Sequence, residues 1–212
     1  ADNSLAPYFN RLGLDHRFAD RPVQYRNSIY PVLLEGNSSQ TLYVRIDHFF
    51  ALKIQPAVWP EQQFQSHTNS EMVFFGMLYG ALSMIVIYSL LVYLSLRDKT
   101  YLLFLLFGTF TGIYICMLEG HFYQFVEPNT QWPKESFYAL ITALMCLSFS
   151  LFSISFLDLE KRSRWSLRIL LAIGGITSLF ILLLGINKQP IIFSHYTLLL
   201  ISLLYFASIL VA

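Results

Sequence analysis

Charge is the scarcest commodity in this sequence. Only 13% of its 212 residues are Asp, Glu, Lys or Arg, where an ordinary soluble domain carries roughly a quarter. The net charge is +1, so no basic excess points to a nucleic-acid partner. Cysteine is nearly missing too: Cys116 and Cys146 both fall inside hydrophobic runs, and the first 69 residues have none. That excludes a disulfide framework in the N-terminal part; the two thiols read as small apolar fillers rather than a redox or metal pair. The five histidines (His16, His48, His67, His121 and His195) are scattered without metal-ligand spacing. No G-x-S-x-G, phosphate loop or GGDEF-like run occurs. Gly174-Gly175-Ile176-Thr177-Ser178 also lacks the Gly-x-Ser-x-Gly pattern of an intramembrane protease. No catalytic residue, bound metal or cofactor is therefore expected from these residues.

The scarcity of charge is uneven. Residues 1–69 hold 12 charged side chains and look like a soluble sequence, whereas from Ser70 onward the chain is a series of apolar runs. Mean hydropathy is +0.52. Five runs contain no Asp, Glu, Lys or Arg: Met72–Leu96, Tyr101–Leu118, Phe137–Leu157, Ile169–Ile186 and Pro190–Ala212. A bilayer core needs roughly 20 helical residues to cross, and Tyr and Trp at the ends of the shorter runs suit the headgroup region. Five such runs in a row predict a membrane all-α helical bundle over residues 70–212, with the lipid bilayer as its first partner.

Basic residues set the expected orientation. The linkers at Arg97-Asp98-Lys99-Thr100 and at Lys161, Arg162, Arg164 and Arg168 hold six Lys/Arg, while the other two linkers hold only Lys134 and Lys188. Basic linkers favour the cytoplasm, which places residues 1–69 on the far side. Ala1-Asp2-Asn3-Ser4 has neither the charged start nor the apolar core of an export signal. The expectation is a piece of a longer or processed protein.

Residues 28–59 alternate with strand periodicity. Leu42, Val44 and Ile46 share one face, and Thr41, Tyr43, Arg45 and Asp47 the other. Leu52, Ile54 and Val58 repeat the pattern. Glu35-Gly36-Asn37-Ser38-Ser39 reads as a turn after a strand near Ile29–Leu34. So few strands cannot close a core alone, which predicts the C-terminal part of a β-sandwich over residues 1–69.

Several stretches carry a family resemblance. They are Phe74-Phe75-Gly76-Met77-Leu78-Tyr79-Gly80, Tyr88 to Tyr101 with its Ser95-Leu96-Arg97-Asp98, Glu119-Gly120-His121-Phe122-Tyr123-Gln124-Phe125-Val126-Glu127-Pro128 with Trp132, and Phe156-Leu157-Asp158-Leu159. Together they resemble the bacterial seven-transmembrane receptors with diverse intracellular signalling modules (7TMR-DISM). Upstream, Arg21-Pro22-Val23-Gln24-Tyr25-Arg26-Asn27-Ser28-Ile29-Tyr30-Pro31 resembles the end of that family's extracellular β-sandwich. Ser89 and Glu119 depart from the family pattern, where Asn is common at both places. The resemblance implies seven helices in the full protein, an inner-membrane location with a periplasmic N-terminal segment, and a cytoplasmic output module past residue 212. Such a module is often a diguanylate cyclase or a histidine kinase.

Two sets of residues are candidates for function. Gly76-x-x-x-Gly80 and Gly108-x-x-x-Gly112 let helix backbones approach closely. They serve either as faces that slide or form a homodimer during signalling, or, more simply, as static packing within one bundle. Glu119, His121 and His195 are expected near the outer ends of their helices, where they line an outward-facing pocket or are merely solvated at the interface. Ser148, Ser150, Ser153 and Ser155 read as structural hydrogen-bonding groups. Two function classes follow. A receptor would bind a small ligand outside, a carbohydrate by family analogy, and shift the bundle between two packings. A transporter or export component is the alternative, but ion-coupled transport usually places ionisable groups at the bilayer midplane, and the five runs have none.

Overall fold

The computed structural model describes residues 18–33, 36–37, 39, 41, 43–44, 56–126 and 134–186. Its helices are α1 (Glu61–Leu96), α2 (Lys99–Leu118), α3 (Lys134–Phe156), α4 (Leu159–Arg162) and α5 (Arg164–Ile186), with a 3₁₀ turn at Phe18–Asp20 and a π-helical turn at Phe122–Val126. Among the described residues, four helices are long and apolar enough to cross a membrane: α1, α2, α3 and α5. α1, α2 and α5 each contain one of the first four apolar runs, and α3 holds all of the third but Leu157. The fifth run, Pro190–Ala212, lies outside the described residues.

α1 is longer than its hydrophobic run. It begins at Glu61, inside the segment assigned above to the β-rich region. Pro60 stands at its N-cap with extended backbone (φ −61°, ψ 144°), and its carbonyl accepts the first helical bond from Phe64 at 3.0 Å. Proline cannot continue a helix toward its own N-terminus but is well suited to start one. Glu61, Gln62 and Gln63 then supply good helix formers, with acid at the positive end of the helix dipole. Trp59 stacks on His67 (5.0 Å between rings, 9° apart), and His67 lies 3.3 Å from Glu71 one turn on. At 1.5 Å per residue, 36 residues make a rod of about 54 Å, well over the roughly 30 Å of a hydrocarbon core. Hydropathy registers only the part of this helix that is apolar.

No strand occurs among the described residues of the N-terminal region. The strand expected near Ile29–Leu34 is not formed over residues 29–33, which are largely exposed. Alternation gives a strand one apolar face; it does not supply the neighbour that makes a ladder. The turn at Gly36–Asn37 is present, with Asn37 in the left-handed region (φ 62°) that asparagine tolerates. Most of the Thr41–Val58 alternation lies outside the described residues.

By contacts the chain divides into two compact units. One comprises Ala1–Arg45 with Cys116–Lys134, the other Ile46–Ile115 with Glu135–Ala212. In the larger unit only Arg97 and Asp98 separate α1 from α2. Arg97 takes a left-handed conformation (φ 56°, ψ 23°) and its N–H closes on the Tyr93 carbonyl at 2.8 Å, a helix stop usually given to glycine. Asp98 then starts α2, its carboxylate accepting the Thr100 N–H at 2.9 Å. That bond holds the exposed Asp98 carboxyl below its ordinary range.

α2 and α3 run antiparallel along a ladder of contacts. Thr100 and Ser155 share a hydrogen bond of 2.8 Å, Phe104 meets Phe152 and Phe107 meets Phe149 at 5.1 Å, and Tyr114 meets Tyr138 at 5.4 Å. Half of the α3 span is buried, more than of any other helix, so α3 is the inner helix of the unit. Ala139, Ala143 and Cys146 of α3 pack with Ile181 of α5. Ile154, Leu159 and Leu170 form a second cluster where α3, α4 and α5 meet. The α3 serines divide by role: Ser148, Ser150 and Ser153 donate to carbonyls four residues back (2.7–2.9 Å), while Ser155 reaches α2.

Candidate functional site

The smaller unit brings residues far apart in the chain onto one another just past α2. α2 stops at Leu118 because Gly120 turns the backbone left-handed (φ +79°), with its N–H on the Met117 carbonyl at 3.1 Å. Upstream, the Phe18–Asp20 turn leads into a loop closed by Arg21. One Arg21 nitrogen donates to the carbonyls of Tyr25 (3.0 Å) and Arg26 (3.2 Å), and its guanidinium lies 4.9 Å from the centre of the Phe18 ring. Phe18 and Tyr25 are buried. Burial lowers the Arg21 pKa from its ordinary value, because a cation loses hydration there.

The loop meets Glu119 and Gly120 at two points. Arg26 Nη1 donates to Glu119 Oε2 at 2.5 Å. The Arg26 side chain is 12% exposed and that of Glu119 38%. The Arg26 carbonyl oxygen lies 3.2 Å from where a Cβ on Gly120 would be. The same carbonyl thus faces Arg21 on one side and Gly120 on the other. A side chain at 120 would crowd the loop and strain the left-handed turn. His121 follows, buried, its ring parallel to Phe125 at 6.1 Å.

These placements change the meaning of the candidate residues. Glu119 is engaged with a cation 93 positions earlier and does not present a free carboxylate. His121 is covered. His195 lies outside the described residues, so the three are not seen together. Arg21 and Arg26 were missed as functional candidates, because the six basic side chains of residues 1–69 are matched by six acidic ones and no excess of charge singles them out. Among the described residues no group of His, Cys, Asp or Glu could hold a metal ion.

The glycine pairs divide as well. A Cβ on Gly108 would meet Val86 of α1 at 3.5 Å, an ordinary contact, so α1 and α2 come close there. Around Gly76, Gly80 and Gly112 the same test finds nothing within 4 Å. Among the described residues no backbone closes on these three.

Residues 71–212 match the family described as 7TM diverse intracellular signalling. The chain belongs to this family. No curated protein and no solved structure matches it. Membership makes this 7TM diverse intracellular signalling protein a multi-pass membrane protein of signal transduction, and the four apolar helices among the described residues are consistent with such a domain. The loop fastened by Arg26 lies upstream of the matched residues, while its anchor, Glu119, lies within them.

Proposed function

We propose that the chain is the sensor and transmembrane region of a bacterial signalling receptor. Residues 1–60 and the polar start of α1 stand in the periplasm, the first as part of a β-sandwich. Residues 70–212 form the bundle in the inner membrane, and a downstream cytoplasmic module, a diguanylate cyclase or histidine kinase, is the output. The observation that carries this reading is the continuity of α1. One unbroken helix of 36 residues runs from Pro60 through a full apolar span, so displacement at its polar end reaches the other end without a hinge to absorb it. A small molecule of carbohydrate type, taken from the family resemblance, is the proposed ligand.

The absence of Asp, Glu, Lys and Arg from the apolar runs favours this over a transporter, which needs groups that bind and release its coupling ion. The test is an internal deletion of residues 18–57 in the full-length protein. Cyclic-dinucleotide synthesis or autophosphorylation is then measured in membranes holding equal amounts of protein. The receptor reading expects basal output to shift several-fold while insertion is retained. Unchanged output would refute it.

A further inference from the structure

We infer that residues 21–26 form a strap fastened to the chain immediately past α2, and that its release is the switching step. This inference rests on the receptor reading above.

Three features make a fastening rather than a chance contact. Arg21 holds the strap in shape through the Tyr25 and Arg26 carbonyls. Gly120, lacking a side chain and turned left-handed, lets the Arg26 carbonyl lie against the backbone. Arg26 then clasps Glu119. The exposure of the pair suits a reversible joint. Fully solvated ion pairs contribute almost nothing, and fully buried ones leave a stranded charge when parted. Here Arg26 is mostly covered and Glu119 is more than one-third exposed, so water or a competing ion can take over the carboxylate as the strap lifts. Glu119 is the first residue after α2, so a lifted strap alters the restraint on the end of a membrane-spanning helix. His121, buried two residues on, is chosen as the reporter, since a strap lifted from Glu119 and Gly120 opens the chain beside it to water.

The experiment uses the full-length protein with Cys116 and Cys146 replaced by alanine and His121→Cys as the only thiol. Its reaction with a membrane-impermeant maleimide is timed, and basal output is measured on the same membranes. Arg26→Glu and Glu119→Arg should each speed labelling by about tenfold, the change that about 1.4 kcal/mol produces. Both should shift basal output in the same direction, and the exchanged pair Arg26→Glu/Glu119→Arg should return both readouts to the parent values. Labelling as slow in the single reversals as in the parent would mean that no strap exists. Faster labelling with unchanged output would make the strap structural only and overturn its role as a switch. An exchanged pair that restores neither readout would show that the ion pair is not the fastening. The deletion of residues 18–57 removes the whole strap with the rest of the segment, so a deletion that shifts output beside strap reversals that do not would overturn the strap as the switch and leave the receptor reading standing.

Discussion

The Ser178 hydroxyl donates across the bundle to the Ala143 carbonyl at 3.1 Å, tying α5 to α3 at a point where both residues are buried. Hydrogen bonds between membrane helices average about 0.6 kcal/mol by double-mutant cycles, so Ser178→Ala should cost little. The close approach itself matters more. Ala143→Leu would force α5 away, and overpacking costs about 1–3 kcal/mol. Unfolding of the purified protein in mixed SDS micelles should rank Ala143→Leu well below Ser178→Ala and the parent. Equal stability of all three would mean that this contact does not join the helices.

Gly120→Ala should loosen the region past α2. An L-residue forced into the left-handed conformation costs about 1–2 kcal/mol, and the new methyl would press on the Arg26 carbonyl at 3.2 Å. Maleimide labelling of His121→Cys should therefore be faster in this variant than in its parent. Identical rates would show that the glycine conformation is not needed.

Asp98 makes the start of α2 acid-sensitive. Its folded-state pKa lies below its ordinary value because the ionised carboxylate accepts the Thr100 N–H. A depressed carboxylate stabilises the fold above the unfolded-state pKa and loses that contribution as pH falls through the folded-state value. Asp98→Asn keeps a capping oxygen that does not titrate. The melting temperature of the parent relative to Asp98→Asn should thus hold constant from pH 7 to about 5 and fall below about pH 4. A gap that does not change with pH would contradict the cap.

The open surroundings of Gly76, Gly80 and Gly112 separate stability from signalling. Gly80→Ile and Gly112→Ile should leave unfolding of the isolated chain within about 0.5 kcal/mol of the parent, the usual range for uncrowded positions. In the full-length protein they should lock output on or off, if these faces slide against a partner. Leu91→Ile, at an exposed position on α1, should be silent in both assays. Ligand-responsive output in both glycine variants would reduce these residues to passive surface.

Much of the membrane architecture could be read from the sequence. Runs without ionisable groups mark α1, α2, α3 and α5, because lipid leaves a backbone little alternative to the helix. The first eleven residues of α1 were hidden: Glu61 to Glu71 are polar apart from Phe64, and a hydropathy pattern stops where the helix leaves the apolar layer. The candidate site was legible only in part. Glu119 and His121 stand out as polar residues at a helix end, but the partner of Glu119 is Arg26, 93 positions away, and no local periodicity encodes such a distance. The glycine spacing suggested close approach; a Cβ on Gly108 would meet Val86 at 3.5 Å, and around Gly76, Gly80 and Gly112 nothing lies within 4 Å. Spacing reports where a backbone is accessible and not what occupies the space.

The central claim is that a signal crosses the membrane from the Arg26–Glu119 side to the side of the basic linkers. Single cysteines at Val126, an exposed residue past α2, and at Lys161, an exposed residue of α4, test it most directly in otherwise cysteine-free protein. In intact cells an impermeant maleimide that reaches the periplasm should label Val126→Cys and leave Lys161→Cys untouched until the inner membrane is opened. Labelling of Lys161→Cys from outside, with Val126→Cys protected, would reverse the orientation and contradict the receptor account.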